Sequence, residues 1–235
     1  MTVTFLAHSG FFVELETCCL LFDWWKGDLP EGGGKPLFCF ASHRHHDHFT
    51  HRIFALDNGS RAVTFLLSHD ILLAQRRLAR WGVSPETAGK CVSLPADTRW
   101  EQGGVTVETL RSTDEGVAFL VTAEGKTIYH AGDLNWWHWA GEDPAWNRSM
   151  EVDFKRRLEP LRGRAIDLAM VPLDPRLGES EDWGLAYLLE LARVQTVLPM
   201  HQWEDPSPTG RFKAKYPQWA GQILDVDQAG QRFVL

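Results

Sequence analysis

Residues 36–50, PLFCFASHRHHDHFT, pass without a break from an apolar run into four histidines and one aspartate. A short apolar stretch rich in aromatic residues reads as a strand over 37–41, buried in a core. The titratable cluster therefore leaves the core at a strand end, where catalytic loops tend to sit. An ordinary solvated surface gives no reason for five histidine and aspartate side chains within positions 43–48.

The spacing of the cluster is H-x-H-x-D-H, filled by His43, His45, Asp47 and His48. Residues two apart on an extended segment project to the same side, so His43 and His45 can hold one ion. Asp47 and His48, after the chain turns, can face a second ion from another direction. Neutral imidazole with carboxylate suits zinc, iron or manganese in a site that keeps a position open for water. His46 lies between the motif positions and points away or supports a neighbour.

The rest of the chain is read around that strand. Short β-branched or aromatic runs at 3–6, 11–15 and 19–22 predict an antiparallel meander, and DLPEGGGKP at 28–36 predicts a loop. Beyond the cluster a strand at 63–67 and a helix over 70–81 are expected. Strands at 91–94, 105–110, 117–122 and 127–130 follow. A helix around 150–161, a strand at 168–171, a helix at 183–192 and a strand at 196–200 complete the second round. Strands followed by helices, twice over, predict an α/β fold: a four-layer αββα sandwich of two mixed β-sheets with helices on the outer faces, each half contributing one sheet. With 235 residues, 44% of them hydrophobic, and no low-complexity linker, one domain over 1–235 is expected.

A formal charge of −7 supplies no basic field for phosphate backbones or anionic lipid, so neither nucleic acid nor membrane is the expected partner. Four cysteines in a chain this long do not read as a disulfide framework. MTVTFLAHSGFF has no basic segment followed by an apolar one and a cleavage site, and no apolar run approaches the ~20 residues that span a bilayer. The expected location is cytoplasmic.

At this point the sequence resembles the metallo-β-lactamase fold metal-dependent hydrolases, over residues 6 to about 201. Leu20-Leu-Phe-Asp23 matches the family's aspartate at the end of an early strand, and H-x-H-x-D-H is its second landmark. Tyr129-His-Ala-Gly-Asp133 matches the fourth and Val197-Leu-Pro-Met-His201 the fifth. The resemblance implies that Asp133 bridges two metals, that His201 binds the second, and that Asp23 orients the ligand loop through hydrogen bonds without binding metal. The implied cofactor is one or two divalent metal ions, zinc, manganese or iron.

The third landmark departs from the family. A histidine is expected before a "G-x-x-F" strand, and the segment reads Leu110-Arg-Ser-Thr-Asp-Glu-Gly-Val-Ala-Phe119. Asp114, or else Ser112, Thr113 or Glu115, stands where that ligand belongs; a carboxylate would favour harder ions such as manganese or iron. The alternatives are a weak or empty first site, with Ser112-Thr-Asp114 merely a turn capped by side-chain hydrogen bonds. Leu6-Ala-His-Ser-Gly-Phe-Phe resembles the "G-H-x-x-F" start of the branch containing ascorbate-phosphate lactonases and other small-molecule hydrolases. That makes His8 a substrate contact or a structural histidine.

Tryptophan is the most individual feature: there are 11, and several follow the landmarks. Trp24 follows Asp23, Trp136, Trp137 and Trp139 follow Asp133, and Trp203 follows His201. Rings at the mouth of a metal site offer flat apolar faces and indole N–H donors to a small-molecule substrate. Trp24, Trp136, Trp137 and Trp203, with His138 among them, are the expected lining; the same loops would equally suit a homo-oligomer interface. The expected chemistry is hydrolysis of an ester, lactone, amide or phosphoester bond by a metal-activated water, with Asp47 orienting that water or accepting its proton. The competing reading is a non-catalytic metal-binding or ligand-sensing module that retains the fold.

Overall fold

The computed structural model describes all 235 residues, which divide into two compact units: Met1–Ala96 with Gln228–Leu235, and Asp97–Asp227. No helix is long and apolar enough to cross a membrane.

The first unit holds a seven-stranded sheet. Its strands are β1 (Thr2–Ala7), β2 (Gly10–Glu14), β3 (Cys19–Phe22), β4 (Leu37–Ala41), β5 (Val63–Ser68) and β6 (Cys91–Leu94), with the C-terminal strand Arg232–Val234 added beside β1. The meander β1–β3 is antiparallel, as its turn residues imply, and β3 to β6 are mutually parallel. Strand alternation puts Leu37, Cys39 and Ala41 into one apolar cluster with Leu21, Phe65 and Leu67. Phe54 of the 3-10 helix His51–Leu56 and Leu78 of helix α1 (Gln75–Arg80) cover that cluster. On the other face Phe22 and Phe40 stack at 4.7 Å, so β4 is buried on both sides, the usual condition of a parallel strand.

The helix expected over 70–81 is confined to Gln75–Arg80. Ile71 N–H closes a turn onto the Ser68 carbonyl, and the Asp70 carboxylate accepts the Arg44 N–H at 2.9 Å, which draws the predicted first turn out of the helix and ties it to the histidine loop. Helix α2 (Pro85–Ala88), capped by the Ser84 side chain, was not anticipated.

The second unit holds a six-stranded sheet. Strands β7 (Arg99–Gln102), β8 (Val105–Arg111), β9 (Val117–Ala123) and β10 (Lys126–His130) are antiparallel, and β10, β11 (Ala165–Pro172) and β12 (Arg193–Met200) run parallel. Helix α3 (Pro144–Leu158) begins six residues before the expected 150, because Asp143 caps it and Pro144 takes its first position. It gives way at Glu159 to a 3-10 turn containing Pro160. Helices α4 (Trp183–Leu191) and α5 (Ser207–Lys215) complete the unit. The fold class is thus α/β with two mixed sheets. Each sheet changes from antiparallel to parallel pairing, and loops bearing the candidate ligands follow the carboxyl ends of parallel strands.

Candidate functional site

In the first unit the site is organised by Asp23, a buried residue directly after β3. Its Oδ1 accepts the Ser42 N–H at 2.7 Å, and its Oδ2 accepts the Ser42 hydroxyl at 2.6 Å and His48 Nδ1 at 2.7 Å. A His48 that donates from Nδ1 carries its lone pair on Nε2, the tautomer a metal ligand needs. Ser42 Oγ lies 3.0 Å from His43 Nδ1, so one hydroxyl links both histidines to the same carboxylate. His43 Nε2 stands 3.0 Å from His45 Nδ1.

His8, Asp47 and His48 form a second group, with ligand atoms within 4.8 Å of one another. His8 Nε2 is 3.5 Å from Asp47 Oδ2, and its ring meets that of His48 edge-on at 5.5 Å. The Asp47 carboxyl is held below the usual range: burial opposes this, but the charge of His48, Asp47's own backbone N–H, and His8 and His46 outweigh it. His46 itself is exposed, its ring 6.5 Å from Trp25.

In the second unit Asp133 and His201 come together, with His201 Nε2 3.5 Å from Asp133 Oδ1. His201 Nδ1 bonds Asp174 Oδ2 at 2.8 Å. Asp174, buried beyond the end of β11, also accepts the Arg176 backbone N–H and guanidinium and, at 3.3 Å, the Trp203 indole N–H. Burial opposes the Asp174 charge, yet His201 and Arg176 bring its carboxyl far below the usual value. Burial likewise opposes a charged His201, and Asp174 with Asp133 still raises its pKa. His8, Asp23, His201 and Trp203 all occupy the left-handed backbone region, at φ 53°, 44°, 64° and 51°. Four such non-glycine residues around the ligand loops are strain of the kind that concentrates at functional sites.

Asp133 is braced from two directions. The Trp137 indole donates to its carbonyl at 2.9 Å, and the Thr113 hydroxyl donates to the Asn135 carbonyl at 2.7 Å while accepting the Asn135 N–H at 3.1 Å. Gly184 in α4 permits the close approach of Asn135, since a Cβ there would stand 2.0 Å from Asn135 Oδ1. The 112–115 segment thus braces the Asp133 loop through Thr113. Asp114 is exposed, donates its N–H to Ser112 Oγ at 3.1 Å, and is absent from the clustered ligand atoms.

The tryptophans divide. Trp203 is 47% exposed and its ring is 5.5 Å from that of His201. Trp137 is buried, 5.5 Å from His201 and parallel to Trp139. Trp24, expected as lining, lies instead in the apolar core of the first unit at 8% exposure, its indole N–H on the Gly27 carbonyl. Trp136 packs on Phe154 and Trp183 and so leans on helices α3 and α4, while His138 lies 4.6 Å from Trp183 and leans on α4. Sequence reasoning missed Ser42, Asp70 and Asp174, and named Thr113 as an alternative ligand where it is a brace. The local signal for Asp174 was its likeness to the Asp23 arrangement, an aspartate within two residues of the end of an apolar strand.

No family model matches the sequence. A UPF0173 metal-dependent hydrolase of Opitutus terrae is 29% identical over 224 residues, covering 86% of this chain and 84% of the relative. Among solved structures, Igni18, a metallo hydrolase from the hyperthermophilic archaeon Ignicoccus hospitalis, matches 100% of this chain and 98% of its own, with a TM-score of 0.62 at 18% identity. The metallo-β-lactamase fold protein YhfI from Bacillus subtilis matches 99% of this chain and 98% of its own, with a TM-score of 0.64 at 16% identity. With the H-x-H-x-D-H loop and the aspartates and histidine at the strand ends, these likenesses agree on one fold: the chain has the metallo-β-lactamase fold, and its sequence is similar to that of a metal-dependent hydrolase.

Proposed function

We propose that the chain hydrolyses an ester, lactone, amide or phosphoester bond of a small molecule, with His43, His45, Asp47, His48, Asp133 and His201 holding one or two divalent ions. The observation that carries this reading is the pairing of two histidines with buried carboxylates. Asp23 on His48 and Asp174 on His201 each occupy Nδ1 and leave Nε2 as the metal-facing nitrogen. The 3.0 Å between His43 Nε2 and His45 Nδ1 also suits one ion, since two nitrogens ~2.05 Å from a tetrahedral zinc stand about 3.3 Å apart.

A bound divalent ion supplies a water whose pKa is brought toward ~7 and an electrophile for the oxygen that gains charge. The chain's residues supply the rest. Asp47, kept ionised, accepts a hydrogen bond from the attacking water or takes its proton. Asp133, whose loop is fixed by Trp137 and the Thr113 clasp, would be a carboxylate ligand to a bound ion. His8 joins Asp47 as a further ligand or a contact to the attacked group. Trp203 and Trp137 form the apolar wall beside His201. Asp114 stands outside this ligand set, being exposed on a turn and absent from the clustered ligand atoms. Zinc, manganese and iron all accept such a donor set.

The test is metal content by mass spectrometry on protein purified without chelator, with hydrolysis of a panel of aryl esters, lactones and phosphodiesters measured alongside. The parent should carry between one and two ions and hydrolyse at least one member of the panel. His48→Ala and His201→Ala should lower the metal content and abolish turnover, while Asp114→Ala should retain both. Loss of an ion in Asp114→Ala would restore that carboxylate to the ligand set. Bound metal with no turnover across every class would favour the ligand-sensing module.

A further inference from the structure

We infer that Arg176, whose guanidinium lies close to the indoles of both Trp139 and Trp203, forms an anion-binding subsite that holds the carboxylate, phosphate or phosphonate group of a substrate bearing a flat apolar part. The inference rests on the proposed hydrolase site and names the class of substrate it takes. The guanidinium carbon lies 4.4 Å from the Trp203 ring centre and 5.7 Å from that of Trp139. Its bonds to Asp174 use Nε and Nη2, which leaves Nη1 to donate to a ligand.

Burial gives this ion pair a direction. The Asp174 side chain is fully buried, and that of Arg176 is 45% exposed, so the pair turns its positive end toward solvent. A chain of net charge −7 repels anions in general, and attraction must therefore come from a local group of this kind. Asp174 also bonds His201 directly, which places the guanidinium one carboxylate away from a proposed metal ligand. An arginine that only neutralised Asp174 would need neither exposure nor two aromatic faces. A planar donor on indoles matches a planar or tetrahedral anion joined to an apolar group.

The experiment measures quenching of tryptophan fluorescence by phenylphosphonate and by benzamide, its uncharged counterpart. It uses the metal-loaded and the metal-free protein, and the parent is compared with Arg176→Gln and Arg176→Lys. The expected result is saturable phenylphosphonate binding in both forms of the parent, at least tenfold weaker in Arg176→Gln and partly restored in Arg176→Lys, with benzamide at least tenfold weaker than phenylphosphonate. If Arg176→Gln fails to fold, Arg176→Lys should still weaken binding, since ammonium loses the planar fork. Metal-free protein that does not bind phenylphosphonate, variants that bind as the parent does, or benzamide bound equally well would overturn the subsite. Metal content of the same samples reports separately on the hydrolase reading, because the metal-free arm does not depend on it.

Discussion

Asp23 and Asp174 do the same work in two units with different materials. Both follow a sheet strand and hold the Nδ1 of a histidine, at 2.7 Å and 2.8 Å. Asp23 is surrounded by the Ser42 N–H, the Ser42 hydroxyl and His48, all inside the protein and none of them a permanent cation. Asp174 instead faces Arg176, whose side chain is nearly half exposed. A carboxylate held by internal dipoles is bound into the fold, because its partners have nowhere else to turn. One balanced by a half-exposed arginine can be disturbed with less damage, because that arginine has water as an alternative.

The largest predicted effect is therefore that of Asp23→Asn. Both Asp23 oxygens accept, so an amide would set an NH2 donor against another donor in a buried place. We expect a loss of about 3 kcal/mol or more in urea unfolding, from buried donors left without acceptors at ~1–3 kcal/mol each. Metal binding should fall with it, because Ser42 ties His43 and His48 to this carboxylate. An Asp23→Asn protein as stable as the parent would remove the distinction drawn between the two units.

Asp174→Asn is the like-for-like counterpart, and its effect should fall on binding more than on folding. Arg176 can move into solvent, so the stability loss should be about 1 kcal/mol, the scale of one net hydrogen bond. His201 loses the charged partner that fixes its orientation, and metal affinity should drop ~10–100-fold, as when such supporting carboxylates are removed elsewhere. Competition with a chromophoric chelator reads this out. Equal losses of stability in the two asparagine variants would show that exposure of the counter-charge does not matter.

What the sequence made legible follows from how local each signal is. H-x-H-x-D-H is contained in six residues, and Asp23, Asp133 and His201 each end an apolar run, so both the strand and the candidate site residue after it can be read together. Asp174 and Thr113 act on partners 27 and 22 residues away, and neither spacing leaves a pattern in the chain. The tryptophans fail for a related reason: an indole after a ligand is equally suited to a core, a helix face or an open wall. Trp24 went to the core, Trp136 to helices α3 and α4, and Trp203 to the surface. Helix α1 is shorter than its periodicity implies because Asp70 is engaged with the Arg44 N–H, a contact 26 residues distant.

The smallest effect belongs to an ion pair of the first unit outside the ligand loops. Asp57 accepts from Lys90 at 2.9 Å and from the Thr87 hydroxyl at 2.8 Å, bracing the end of the 3-10 helix His51–Leu56 against the residues around α2. The Lys90 hydrogen bond, aided by Thr87 and opposed by burial, holds the Asp57 carboxyl below its ordinary value. A carboxyl depressed in the folded state stabilises it above the unfolded pKa of ~3.9, and that contribution fades as pH falls through the folded value. Asp57→Asn should then be less stable than the parent by about 1 kcal/mol at pH 7. The difference should narrow as the parent is acidified below about pH 4. Metal affinity should not change, and that separates it from the other two aspartates: all three lose a carboxylate, but only Asp23 and Asp174 hold a histidine. A loss of metal in Asp57→Asn comparable to that in Asp174→Asn would mean that affinity tracks general loosening of the protein and not the orientation of individual imidazoles.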